Sequence, residues 1–379
     1  MGNSILDSQY ASPNALLTSH GFPVNTSGNA LLLSHSPAGV YPNPASGALT
    51  LTDGVNFTLN GSFADRADTP FHYSNYEGAT VGQQATAVGL THLGYDTDGA
   101  ARVLVQDDYA HTGTKSLRVD YPAAATAGVT HPDDDPDLLS CFPQVGVDGL
   151  STDRVYVSMW VRYARHTGTG SAGILKLSRG GANPPYSGNP HYFETWFPDA
   201  SGVITGVDHG STDSGGGDHW YDGNDYESGQ PLPVVNQWNR LEYYYQLSTA
   251  GVANGVLNSW VNFEQYMDMP ALMNRLSGNS SLINNIISAF DGNDSYPNGT
   301  GWYLWMDQFY VDSTQQRLEL GNADTWGACT VREVQPSVTW TTTSITATCQ
   351  KGGVTGPNAW LYVIAADGTA GTAIPVTLT

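Results

Sequence analysis

Apolar and polar residues alternate with a period of two through much of the chain. In WNRLEYYYQLSTAGVANGVLNSWVN, Arg240, Glu242, Tyr244, Asn258, Trp260 and Asn262 alternate with Leu241, Tyr243, Leu257 and Val261. Side chains two apart share one side of a strand, so this stretch predicts a strand pair with one apolar and one polar-aromatic face. NFTLNGSF, ARVLVQDDYAHTGTKSLRVDYPA, RVYVSMWVRYAR, AGILKLSRG, HYFETWF, GVITGVDHG and GTGWYLWMDQFYVDS extend the series, with HTG as a turn. Strands at this density predict two packed antiparallel sheets. One stretch departs. Leu282, Ile283, Ile286, Ile287 and Phe290 recur at helical spacing behind Ser280 or Ser281 as N-cap, and predict a short helix over a sheet edge.

The pattern divides the chain in three. Residues 1–55 are rich in Ser, Asn, Gly, Pro and Ala and predict an arm or a few short strands. Residues 56–325 carry the regular strands. In 326–379, VREVQPSVTW, SITATCQKGG, AWLYVIAADG and AIPVTLT predict a small sandwich, or an incomplete one that completes itself against a neighbour.

Composition agrees with an all-β chain: Gly (43) and Pro (21) are abundant and aromatics reach 11 % of 379 residues. Acids outnumber bases 35 to 14, for a net charge of −21, which excludes phosphate-binding surfaces for nucleic acid or anionic membrane. No apolar run approaches the roughly 20 residues of a spanning helix, and the N-terminal stretch carries no secretory signal or myristoylation match. Cys141, Cys329 and Cys349 leave at least one thiol unpaired, although a Cys329–Cys349 bridge is open to the tail. A lysis-released virion surface protein is expected from a turn-rich, Tyr-rich composition without a signal.

Parity assigns faces. Tyr156, Ser158, Trp160 and Arg162 share one side of their strand; Lys176 and Ser178, and Tyr192, Glu194 and Trp196, do the same on theirs. With Arg240, Glu242, Tyr244, Asn258 and Trp260 they predict one surface of rings interleaved with planar polar groups, which suits sugars. Five of the chain's fourteen bases (Arg154, Arg162, Arg165, Lys176, Arg179) fall within 26 residues, favouring an anionic polysaccharide.

The order HTGTKSLRV, VYVSMWVRY, ILKLSR, QWNRLEYYYQLSTAGVANGVLNSWVN and WMDQFYVDSTQQRLELGN resembles the concanavalin A-like jelly roll of the polysaccharide-lyase type, over roughly 56–325. The tail is similar to small Ig-like modules of phage structural proteins. The resemblance implies a two-sheet antiparallel jelly-roll sandwich with a small C-terminal Ig-like β domain, and a concave sheet that holds glycan. For a lyase it implies a carboxylate neutraliser (Arg162 or Arg240) with His191, Tyr192 or Tyr244 as base and acid. The Gln-x-His element of alginate-lyase relatives is absent, and Arg317-Leu318-Glu319-Leu320 lacks the final Arg of their Arg-x-Glu-Leu-Arg motif.

The acidic loop 210–229 (Asp213, Asp218, Asp222, Asp225, Glu227, with His219) is a weak candidate for structural Ca²⁺, as are Asp96–Gly99 and HPDDDPD. No other cofactor is expected. The reading is a non-catalytic phage virion surface protein, a capsid decoration or tail-fibre component. It is expected to be a homo-oligomer on the particle, partnered by other virion proteins and host surface polysaccharide. The alternative is a lyase that cleaves an acidic polysaccharide.

Overall fold

The computed structural model describes residues 41–42, 49–66, 70–92, 103–121, 145–165, 173–181, 191–200, 203–204, 208–213, 231–275, 277–278, 280–289 and 302–379. Among these the chain is all-β, in sheets of eight, seven, five and four strands. The only helical segments described are two 3₁₀ turns, Ala85–Val88 and Trp326–Ala328.

The eight-stranded sheet runs Glu264–Leu272, Gly255–Val261, Trp238–Gln246, Arg154–Arg165, Trp302–Asp312, Ser116–Tyr121 and Val103–Gln106, with His72–Ser74 also paired to Trp302–Asp312. The seven-stranded sheet contains Val145–Thr152, Gly173–Gly181, His191–Ala200 and Ile283–Ala289. Val155, Val157, Met159, Val161 and Leu241 of the first sheet share one apolar core with Val147, Leu150, Ile283 and Ile286 of the second. Burying such side chains stabilises by about 1.5–3 kcal/mol each.

Residues 283–289 are a strand, not the expected helix. Register shifts between Ile283 and Asn285 and between Ile287 and Ala289 mark β-bulges. From Ile283 to Asn285 this strand advances two residues while its partner advances four, from Thr152 to Asp148, so the pairing is irregular there; Ile283 and Ile286, three apart, are both fully buried and imitate a helical period. The β-branched isoleucines suit the pleated surface.

The two smaller sheets form a second sandwich. Its five-stranded sheet is Leu49–Leu51, Ile374–Leu378, Asn358–Ile364, Arg317–Gly321 and Arg332–Gln335; its four-stranded sheet is Tyr41–Pro42, Asn56–Ser62, Ser344–Thr348 and Ser337–Trp340. Leu51, Phe57 and Leu59 share its core with Leu318, Leu320, Ile345, Leu361 and Val376. The pairing therefore crosses both expected boundaries, 55/56 and 325/326, because the C-terminal strands leave open edges that strands near residues 50 and 60 close. The large sandwich is an insert in the small one. Arg66 fastens the crossover, pairing with Asp312 and donating to Gln316 O at 2.8 Å. Cys329 and Cys349 are both buried and free, so no bridge joins them. Cys141 and residues 1–40 lie outside the described residues.

Candidate functional site

The expected face exists on the eight-stranded sheet. Tyr156 pairs with Tyr244 and Tyr244 with Asn258; Ser158 pairs with Glu242 and Glu242 with Trp260; Trp160 pairs with Arg240. Lys176, His191, Tyr192, Glu194 and Trp196 are not part of it. Their strands belong to the seven-stranded sheet, where Lys176 pairs with Trp196, and their side chains lie outside the described residues. Parity assigns a side of one strand; it carries no information on which sheet the strand joins.

The middle of this face is covered rather than open. Tyr156, Trp160, Arg240 and Tyr244 are buried beneath the small sandwich. Arg240 donates to both carboxylate oxygens of Glu319 at 3.0 and 2.9 Å, and to Arg332 O. Arg317 Nε donates to Glu319 Oε1 at 2.6 Å, and its guanidinium lies 4.1 Å from the Tyr156 ring. Tyr156 Oη donates to Glu242 Oε1 at 2.6 Å. Trp160 Nε1 donates to Glu333 Oε2 at 2.9 Å, and His111 stacks on the Trp160 ring at 3.8 Å. The same rings and forked groups that suit a sugar also make a polar seam, and the strand pattern does not distinguish the two. Arg317, Glu319, Arg332 and Glu333 are the partners that sequence reasoning missed; only Arg317 to Leu320 had drawn notice, as an incomplete motif.

Charges in the seam are strongly perturbed. Burial pushes the Glu319 carboxyl up, but Arg240, Arg317 and Arg332 outweigh it and hold it down at about 2. Burial pushes the Tyr156 phenol up, which keeps it protonated at neutral pH.

The residues expected to act together in elimination do not converge. Arg162 pairs with Trp238, whereas Tyr244 lies six residues further along that strand, about 20 Å away at strand rise. Arg240, between them, is sealed. His191 and Tyr192 are in the other sheet.

One end of the face carries a second row of residues, in which Trp305 is buried and Arg118, Arg162 and Trp238 are half-buried. Across four strands the register aligns Arg118, Trp305, Arg162 and Trp238, so basic and aromatic side chains alternate in one row. At ~4.8 Å between strands the row spans about 14 Å. Arg162 lies 4.2 Å from the ring of Tyr109, which is 45 % exposed, and Arg118 lies 5.2 Å from the Tyr303 ring. Asp108 ties the row together, accepting from Trp305 Nε1 at 2.8 Å and from Arg118 at 2.9 Å. Among the described residues Arg162 forms no ion pair, and it is half-buried. Asn258 and Trp260 are also half-buried, near the opposite edge. Tyr109, Arg118, Trp238, Tyr303 and Trp305 were missed as well. Parity applied to WNRLEYYYQ, KSLRVDY and GTGWYLWMDQFYVDS would have found four of them; Tyr109 sits in a loop, where no such rule applies.

No described group of three His, Cys, Asp or Glu is arranged for a metal ion, and the acidic loops 96–99, 131–137 and 214–229 lie outside the described residues.

No protein-family model and no curated protein matches the chain. Solved structures with a similar arrangement include a double mutant of the alginate lyase Aly36B in complex with alginate trisaccharide, at 15 % identity and TM-score 0.40, covering 64 % of this chain and 97 % of that one. An endo-beta-1,4-glucuronan lyase from the fungus Trichoderma reesei matches at 11 % identity and TM-score 0.42, covering 68 % and 95 %. The alginate lyase vAL-1 from Chlorella virus matches at 14 % identity and TM-score 0.38, covering 59 % and 98 %. At these values the likeness assigns no activity. The expected virion role has no counterpart among these three.

Proposed function

We propose that the protein binds an acidic polysaccharide along Arg118, Arg162 and Trp238, which the buried Trp305 supports from within the row, with Tyr109 and Tyr303 as flanking rings. The observation that carries this reading is the half-buried Arg162, held against the exposed Tyr109 ring at 4.2 Å, its Nε without a hydrogen bond and no described carboxylate paired to it. A planar fork of this kind takes a uronate carboxylate bidentately, while the adjacent ring covers the apolar C–H face of the sugar. Asp108 orients Arg118 and Trp305 rather than neutralising Arg162.

Titration with alginate or glucuronan oligomers tests this, with neutral glucan oligomers as the control. Acidic oligomers should bind, neutral ones should not, and Arg162→Ala should weaken binding at least about tenfold, the worth of one charge-assisted contact. Equal affinity for both polymers, or an unaffected Arg162→Ala variant, overturns the proposal.

The same pair supports a second reading. A carboxylate neutraliser beside a phenol is what β-elimination from a uronate requires, and Arg162 with Tyr109 supplies both groups. Ultraviolet absorbance from unsaturated uronate ends, lost in Tyr109→Phe with binding retained, marks the protein as a lyase. Binding without that absorbance leaves the non-catalytic reading.

A further inference from the structure

Between the eight-stranded sheet and the small sandwich lies a cavity of about 90 Å³. We propose that it holds a small protonated oxyanion of the phosphate or carbonate type. The surrounding charge does not balance. Among the described residues around it, Arg240, Arg317 and Arg332 supply three positive charges and Glu242 and Glu319 two negative ones, each of them at least 95 % buried; the seam's other buried carboxylate, Glu333, is taken up by Trp160, His111 and Gly353 N. Leaving one such buried charge without a partner is costly.

The surplus resides on Arg332. Arg317 uses all three nitrogens, on Glu319 Oε1, Gln315 O and Glu242 Oε1. Arg240 is held by both oxygens of Glu319. Arg332 has one long hydrogen bond among the described residues, 3.4 Å to Trp326 O; its Nε has none, and the nearest carboxylate oxygen, Glu319 Oε2, stands 3.8 Å off. Arg332 lines the cavity. The rings of Trp326 and Phe263 lie 3.7 and 4.4 Å from its guanidinium carbon, and stacking of this kind leaves the N–H edge for a ligand. Burial lowers the proton affinity of Arg332 despite the pull of Glu319 and Glu242.

Size and polarity narrow the occupant. A single water needs roughly 10–15 Å³ of space of this kind, so the cavity admits several waters or a small ion and not a sugar chain, whose clefts run to roughly 300 Å³ and above. Glu242 also lines the cavity. A bare halide would meet its repulsion, whereas an oxyanion with an O–H accepts from Arg332 and donates to Glu242.

The test is thermal unfolding of the full chain at mildly acidic pH in sodium phosphate, against sodium chloride at equal ionic strength. Above half-saturation the melting temperature should rise about 2 °C for each tenfold increase in phosphate, with no matching rise in chloride. Arg332→Gln should abolish the increment; if that variant does not fold, Arg332→Lys keeps the charge, loses the fork and should reduce the increment. Equal melting in both salts, or a full phosphate increment in either variant, overturns the proposal. Because the polysaccharide row lies elsewhere, Arg162→Ala should keep the phosphate increment.

Discussion

Glu319 is fully buried among three guanidinium groups, and its acidity records that arrangement. Its folded value of about 2 lies below the ordinary 4.5, so its stabilisation is complete above about pH 4.5 and is lost as pH falls towards 2. The loss is on the order of 3 kcal/mol. Glu319→Gln removes one of the two carboxylates that, among the described residues, pair with Arg240, Arg317 and Arg332, and should cost about 3–5 kcal/mol at neutral pH. Urea unfolding of both proteins between pH 7 and pH 2.5 checks this: the variant should be weaker at pH 7 and flatter in acid, and parallel pH profiles would contradict the assignment. The sequence told which side of the strand Arg240 occupies. It did not tell what lies opposite, because Glu319 is 79 positions away.

Strand faces were legible wherever the pleat is regular, as in Arg154–Arg165 and Trp238–Gln246. They were illegible where a bulge intervenes. Between Asp307 and Tyr310 the register also shifts, at Gln308 with φ +48°, so that Phe309 packs into the core although it keeps the parity of Asp307. At the Ile283–Ala289 strand an irregular register, with the extra residues on the partner strand between Ile283 and Asn285, accompanies the buried Ile283 and Ile286 whose spacing imitates a helix. Ile286→Ala should therefore behave as a core truncation and cost about 2–5 kcal/mol in urea unfolding. A loss below about 1 kcal/mol would mean that Ile286 does not face the other sheet. The hairpin turn Asn262–Phe263 has positive φ at both positions, +49° and +74°, an arrangement that favours Asn or Gly. Phe263 adopts it against preference, and its ring lies over Arg240 and Arg332.

On the scale of the molecule, the all-β class was legible from turn density and alternation, whereas the insertion was not. Thr58 and Thr346 hydrogen-bond across 288 positions, and no local pattern encodes a partner so far away. Contacts at that separation cost loop-closure entropy before they contribute, so the small sandwich should form late in folding. A chain lacking residues 1–62 loses Leu49–Leu51 and Asn56–Ser62 together, and with them Leu51, Phe57 and Leu59 from the core. Limited proteolysis of that truncation should cut within 337–364 at protease levels that spare the full chain; equal resistance would mean that the C-terminal strands form a sandwich alone.

The one parallel contact in that sandwich has a mechanical consequence. Leu49, Thr50 and Leu51 run alongside Val376, Thr377 and Leu378 in the same direction. Tension drawn between the chain before residue 49 and residue 379 would slide these strands past each other. Their hydrogen bonds would bear the load at once instead of parting one by one. Force applied along that path would thus meet a clamp before it reached the large sandwich.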